Sequence, residues 1–334
     1  MTDPRFLLIR LSSLGDVIHT LPAVAALRDA FPSAQIDWVI DPRWARLLEG
    51  NADLSNLILV DRKNVPSIVR AVAKLRAAGY ACAIDFQSLY KSAILGSLSG
   101  APRRIGFDRR HAREGWATVF YTECVNPDGP HKVDHNLSLV TRAGAKADRA
   151  RFPLTILPED DRCVVFELAA RGLADFFVLN PGGGWLSKCW PAERYGQLHH
   201  KLVTRYGWRG IVTHGPGEDE LAERVIEAAG DPPPVAIGLG LGPLMALIRR
   251  ARFVVSADSG PLHIAAALGA PVVGLYGPTD PVRNGPYSKD DVVVRNAQPA
   301  ETTYRRGNSY SASMLSITVE QVFDAVERRL RRVA

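Results

Sequence analysis

Short apolar runs alternate with helical patterns along almost the whole chain, and this alternation restricts the fold more than any other feature. Phe6–Leu11 is a nearly continuous apolar run, as a strand buried on both faces of a parallel sheet requires. The loop Ser12–Asp16 leads into an amphipathic stretch, Val17–Phe31, that reads as a helix. Strand patterns follow at Gln35–Ile40, Leu57–Val60 and Ala81–Phe86, with helical patterns at Pro42–Leu48, Val65–Ala78 and Leu89–Leu98. Between Gly100 and Arg151 the rhythm gives way to a polar, Arg-rich stretch and a helix over Asp134–Ala143. A helical run opens at Pro158, and the alternation restarts with strands at Phe176–Asn180, Gly210–Thr213, Val235–Ile237, Phe253–Ala257 and Pro271–Tyr276. Repeated βα units predict doubly wound parallel sheets.

At 334 residues the chain is too long for one ordinary core. We expect an α/β protein of two Rossmann-like domains facing a central cleft, the first over 1–160 and the second over 161–317. A final amphipathic helix, Thr318–Val333 within segment 318–334, could pack back on the first domain. Ligands in open α/β sheets bind beyond the carboxyl ends of the strands, so the pattern locates a site without defining its chemistry. The two halves share an architecture and no visible sequence repeat.

Composition narrows the class. Four scattered cysteines without CxxC pairs fit reduced thiols in a cytoplasmic protein, not a zinc site or a disulfide scaffold. No apolar run approaches the roughly 18–20 residues of a membrane span. The net charge of +6 suits an acidic partner and equally an ordinary basic enzyme. The basic stretch Arg103, Arg104, Arg109, Arg110, His111 and Arg113, with Lys91 upstream, could hold an anionic acceptor. It lacks the aromatic interleaving of a nucleic-acid surface. Neither an Asp-x-Asp pair nor HExxH is present, so no metal site is expected.

Four loops after strands carry the chemistry. In Asp258-Ser-Gly-Pro-Leu-His263, Gly260 and Pro261 suit a helix start, where free N–H groups and the helix dipole favour a phosphate. His263 stands one turn in, and the alternative is that Asp258 and Ser259 simply cap a helix. In Asn180-Pro-Gly-Gly-Gly-Trp-Leu-Ser-Lys188, Gly183 and Gly184 let backbone close on a ligand and Lys188 brings a mobile cation. The spacing is neither a P-loop nor GxGxxG, which disfavours dehydrogenase chemistry. Glu218 begins a helix where a carboxylate could take ribose hydroxyls, or be a solvated first-turn acid. Asp16 could accept a proton from a substrate hydroxyl, or merely face a helix dipole.

Together these residues resemble the bacterial lipopolysaccharide heptosyltransferases of glycosyltransferase family 9, most of all heptosyltransferase I. Leu11–Pro22 resembles the N-terminal motif of that family; Ala257–Pro271 and Leu275–Pro281 are similar to its C-terminal signature. Asp85–Ser92 and Ala112–Ala117 look like its middle motifs, and Lys188–Pro191 like its donor-loop motif. The resemblance runs in order through essentially the whole chain.

It implies a GT-B fold and inverting transfer from ADP-heptose to a Kdo–lipid A inner core, without cofactor or metal. The acceptor would then be a lipid-linked anionic saccharide, met by a peripheral enzyme at the inner face of the cytoplasmic membrane. Asp16 corresponds to the catalytic base and Lys188 to the lysine on donor phosphate. Glu218 and Asp258 fall where nucleoside and heptose are held, and Ser259, Gly260 and His263 on the phosphate loop. Within the matched motifs Ser13, Gln87, Lys91 and Arg113 are the candidate acceptor contacts. The sequence departs from the family at Gly183-Gly184, which can offer only backbone, and in Thr302–Met314, which has no cysteines. Transfer of another sugar on the same scaffold, or a nucleotide-sugar-binding protein without turnover, are the competing readings.

Overall fold

A computed structural model of the chain describes residues 3–147 and 149–332. Two compact units divide it, 1–155 and 156–334. The first contains six parallel strands: β1 (Arg5–Ile9), β2 (Gln35–Ile40), β3 (Asn56–Leu59), β4 (Cys82–Asp85), β5 (Arg103–Phe107) and β6 (Glu123–Val125), ordered β3-β2-β1-β4-β5-β6. The second has β7 (Phe176–Asn180), β8 (Arg209–His214), β9 (Val235–Gly238), β10 (Val254–Ala257), β11 (Val272–Leu275) and β12 (Val292–Val294). Its strands are also parallel, in the order β12-β11-β10-β7-β8-β9. Counted within each domain both orders read 3-2-1-4-5-6, the Rossmann arrangement that the family resemblance implies for each domain.

The order reverses between β1 and β4 in one sheet and between β7 and β10 in the other. Ile9 is paired with Asp85 in the first, and Asn180 with Ser256 in the second. The loops that leave these four strands carry Asp16, Gln87, Lys188 and Asp258. Leu7, Leu8, Ile9 and Phe177, Val178, Leu179 are fully buried, which explains why the central strands are apolar at successive positions and do not alternate.

Several expectations are corrected. The stretch from Gly100 to Arg151 does not leave the sheet but supplies β5 and β6. Its arginines obscure the strands: Arg103 Nε lies 2.7 Å from Glu123 Oε1, and Arg104 donates to the Phe120 carbonyl at 2.7 Å, so both already have partners within the domain. The Val17–Phe31 stretch is two helices, Leu14–Ile18 and Leu21–Ala30, the second with Pro22 in its first turn. Pro42–Leu47 is a tighter 3₁₀ turn. The helix Pro158–Ala170 belongs to the second unit, where Arg250 pairs with Asp161 at 2.6 Å, so the boundary falls before 160.

The last helix, Val319–Arg331, packs into the core of the second domain, where the sequence also allowed a place on the first. Val319, Val322, Ala325 and Val326 enter the same core as Phe253, Val273 and Leu275. Arg329, also buried, pairs at 2.9 Å with Asp291, which accepts the Val272 N–H of β11. Val333, included in the expected helix, lies outside the described residues.

Candidate functional site

In the second domain β10 delivers Asp258 to the start of the helix Gly260–Ala267. The Ser259 hydroxyl makes no capping bond to that helix. It bonds instead to Ser256 Oγ at 2.8 Å and accepts from Asn180 Nδ2 at 3.2 Å, so the cap alternative does not describe it. Pro261 in the first turn has no N–H to leave unsatisfied.

Asp258 is buried and gathers three partners. Lys188 Nζ is 2.5 Å from Oδ2, His263 Nε2 is 3.3 Å from Oδ1, and Asn284 Nδ2 donates to both oxygens at 3.2 Å. Burial alone would raise the pKa of this carboxyl; the His263 hydrogen bond and the Lys188 charge outweigh it and hold the group well below the usual carboxylate range. Lys188 is therefore not the mobile cation its glycine-rich loop suggested. It sits on the 3₁₀ turn Leu186–Lys188, buried, with Nζ 4.4 Å from the Trp185 ring centre.

Glu218 stands at the start of the helix Asp219–Ala229, and its Oε2 accepts the Gly215 N–H at 2.7 Å. The carboxylate lies over Gly182, where a Cβ would come within 2.6 Å of either oxygen, so a larger residue there would push the carboxylate from this place. Beside it opens a recess of about 300 Å³, walled by Gly183, Leu186, Cys189, Gly217, Glu218 and Leu221 among others. Gly183 thus joins Glu218, whereas Gly184 is exposed with nothing within 4 Å of an added Cβ. With Glu220 and Arg224 also lining it, the recess sets a carboxylate that can accept from hydroxyls beside apolar side chains.

In the first domain Asp16 lies on the short helix that follows β1. Its Oδ1 is 2.6 Å from Arg10 Nη2, and its Oδ2 accepts from Ser13 N–H at 3.2 Å and from Ser13 Oγ–H at 2.9 Å. Burial opposes ionisation, but the charges of Arg10, His19 and Lys132 prevail and hold the carboxyl well below the usual range. Arg10 is itself buried and donates through Nη1 to the Phe86 carbonyl.

The proposed acceptor residues divide. Gln87 is buried and its Oε1 accepts the Leu11 N–H at 2.7 Å, joining the loops after β1 and β4. Ser13 is exposed and turned to Asp16. Lys91 and Arg113 are exposed and have no ion pair among the described residues. Glu114 draws their segments together, accepting the Tyr90 N–H at 2.6 Å while its own N–H reaches the Ser88 carbonyl at 3.0 Å.

Sequence reasoning missed Arg10, Asn180 and Asn284. Arg10 left a signal, a charge at the end of an apolar strand that needs a buried partner; the two asparagines left none.

The profile of glycosyltransferase family 9 (heptosyltransferase) matches residues 68–313. The chain belongs to glycosyltransferase family 9. It is 30% identical over 318 residues to lipopolysaccharide heptosyltransferase 1 of Pseudomonas aeruginosa, covering 92% of this chain and 88% of that one. With lipopolysaccharide heptosyltransferase 1 of Escherichia coli K12 it shares 31% over 312 residues, 87% of this chain and 93% of that one. Among solved structures, a family 9 glycosyltransferase from Veillonella parvula superposes with a TM-score of 0.88 at 25% identity, covering 99% and 98% of the two chains. An E. coli heptosyltransferase solved with ADP gives 0.80 at 27% identity, covering 97% and 99%. The family 9 chain is thus a glycosyltransferase, similar along nearly its whole length to enzymes of lipopolysaccharide core synthesis. Among the described residues no cluster of three or more His, Cys, Asp or Glu is placed to hold a metal ion, and no helix is long and apolar enough to cross a membrane.

Proposed function

We propose that this glycosyltransferase moves heptose from ADP-L-glycero-D-manno-heptose to the Kdo inner core of lipopolysaccharide, with inversion and without a metal. The observation that carries the reading is the set of buried Lys188, Asp258 and His263 with half-buried Asn284 at an uncapped helix start. It sits in the same domain as a recess edged by the Glu218 carboxylate. A relative in the same family was solved with ADP.

Asp16 accepts the proton of the acceptor hydroxyl as its oxygen attacks the anomeric carbon on the face opposite the diphosphate. The bond from that carbon to the phosphate oxygen breaks, and its electron pair leaves with ADP. A carboxylate held acidic by Arg10 is a weak base, so the proton moves only as the new C–O bond forms. Inverting glycosidases add a second carboxyl to protonate a poor leaving group. A diphosphate leaves as a stable anion and needs none; Lys188, His263 and the amides at Gly260 donate hydrogen bonds to it, although the Lys188–Asp258 pair itself carries no net charge. Glu218 takes the ribose hydroxyls.

The acceptor is lipid-linked, and the enzyme works as a peripheral protein at the inner face of the cytoplasmic membrane. In support, the first domain exposes Val65, Val69, Tyr90, Ile94, Trp116 and Val119 together with Lys63, Arg70, Lys91, Arg109 and Arg113.

The test is product analysis with a Kdo-bearing acceptor and ADP-heptose, GDP-mannose or UDP-glucose in turn, with and without a chelator. Transfer from ADP-heptose alone, unaffected by chelation, is expected. Preference for another donor would overturn the substrate assignment, and loss on chelation the metal-free mechanism. Asp16→Ala should lower turnover roughly 10²–10⁴-fold while leaving ADP affinity unchanged.

A further inference from the structure

Trp185 carries two cations on its ring. Lys188 Nζ lies 4.4 Å from the centroid and the Arg306 guanidinium carbon 5.8 Å from it. The two segments are also joined through backbone, because Ser187 N–H donates to the Gly307 carbonyl at 3.3 Å. A Cβ at Gly307 would stand 2.9 Å from the Ser187 Cβ, so this approach requires the glycine that follows Arg306.

The charges of the two cations are in different situations. Lys188 is neutralised by Asp258 at 2.5 Å. Arg306 is exposed and has no ion pair among the described residues. A nucleoside diphosphate ester brings two negative charges. The Lys188–Asp258 pair supplies no net charge against them, and Gly183 and Gly184 can offer only N–H groups. Other arginines are near in sequence or space: Arg224, which lines the recess with Gly183 and Leu186 and is paired with Glu193 at 2.7 Å; Arg283, which lies 5.1 Å from the Tyr304 ring centre; and Arg305, which has no ring contact among the described residues. Arg306 alone of these shares a ring with Lys188.

We propose that Arg306 binds the diphosphate of the donor, with Trp185 as the positioning residue that holds its guanidinium on the ring that Lys188 also contacts. A guanidinium resting on an aromatic face keeps its N–H edges free, and those edges match phosphate oxygens in pairs. The proposal rests on the nucleotide-sugar reading of this site.

Calorimetric titration of the full chain with ADP and with adenosine tests it, using wild type, Arg306→Ala, Arg305→Ala, Trp185→Leu and Trp185→Phe, each first shown to melt as wild type does. Arg306→Ala should weaken ADP about tenfold or more, as expected for loss of a charge-assisted bidentate contact, with adenosine affinity unchanged. Arg305→Ala, which removes the same charge, should stay within about twofold of wild type, since only non-specific attraction is lost. Trp185→Leu should reproduce part of the ADP loss and Trp185→Phe restore it. ADP bound equally by Arg306→Ala, an equal loss in Arg305→Ala, or a parallel loss of adenosine would each overturn the role of Arg306 while the nucleotide reading stands. A wild-type protein that binds neither ADP, UDP nor GDP would overturn that reading and this proposal together.

Discussion

Arg10 Nη2 stands 2.6 Å from Asp16 Oδ1, and the same guanidinium donates to the carbonyl of Phe86 beyond β4. The carboxylate proposed as base is thus fixed by a cation that spans the two central strands of its sheet.

Replacing Arg10 by Gln should therefore change the pH profile. In the native chain the Asp16 pKa is depressed, so its ionised form, and the stability it confers, are present above the ordinary value of about 3.9 and lost only as pH falls through the depressed one. Without Arg10, burial dominates and the acid limb of kcat/KM should move upward into or above the ordinary carboxylate range. A pH–rate series on both proteins checks this; an unmoved limb would remove Arg10 from control of Asp16.

Lys188→Met strands Asp258 in a buried place with only His263 and Asn284. Breaking such a pair from one side should cost about 3 kcal/mol, seen as a lower melting temperature, and should also weaken ADP. The double variant Lys188→Met, Asp258→Asn should regain most of the stability and none of the affinity. Recovery of both would show that the pair serves folding alone.

His199 is fully buried against Phe177, and neither ring nitrogen has a hydrogen-bond partner. Burial, with Arg209 and His200 nearby, pushes its pKa down to about 4. The unfolded chain takes up a proton below about 6.5 while the folded domain resists it, so stability is full above that value and falls as pH drops toward 4. The loss is at most roughly 3 kcal/mol, from 1.36 kcal/mol per pH unit. His199→Leu should flatten the melting temperature over this window, and an unchanged slope would place the acid sensitivity elsewhere.

Trp116 is 59% exposed, with the Arg109 guanidinium 4.1 Å from its ring centre, and Val119 is 67% exposed on the same 3₁₀ turn. Trp116→Ser with Val119→Ser should reduce sedimentation with anionic vesicles several-fold while leaving transfer to a short soluble acceptor unchanged. Equal loss of both activities would mean that the turn serves catalysis or folding, not lipid.

The βα alternation announced both sheets because buried parallel strands cannot hide their apolar runs. It failed at β5, β6 and β12, where strands of three to five residues are short or carry arginines whose partners lie far along the chain. Asp16, Lys188 and Asp258 were legible because each follows a strand at a switch point. Their pairing was not: Lys188 and Asp258 are brought together only when β7 and β10 align in register. The fate of Gln87 was equally hidden, since an amide that bonds a neighbouring strand's N–H looks in sequence like one awaiting a ligand.

The helix Val319–Arg331 lies in the core beneath β11 and β12. During synthesis the first domain can close as soon as β6 and the helix Lys132–Ala143 have emerged. The second domain must wait for a helix that is made last among its elements, and until then the apolar cluster that this helix completes is open. A premature stop near residue 318 would therefore yield a nascent chain with Asp16 in place and an open core in its second domain, a natural substrate for chaperones and proteases.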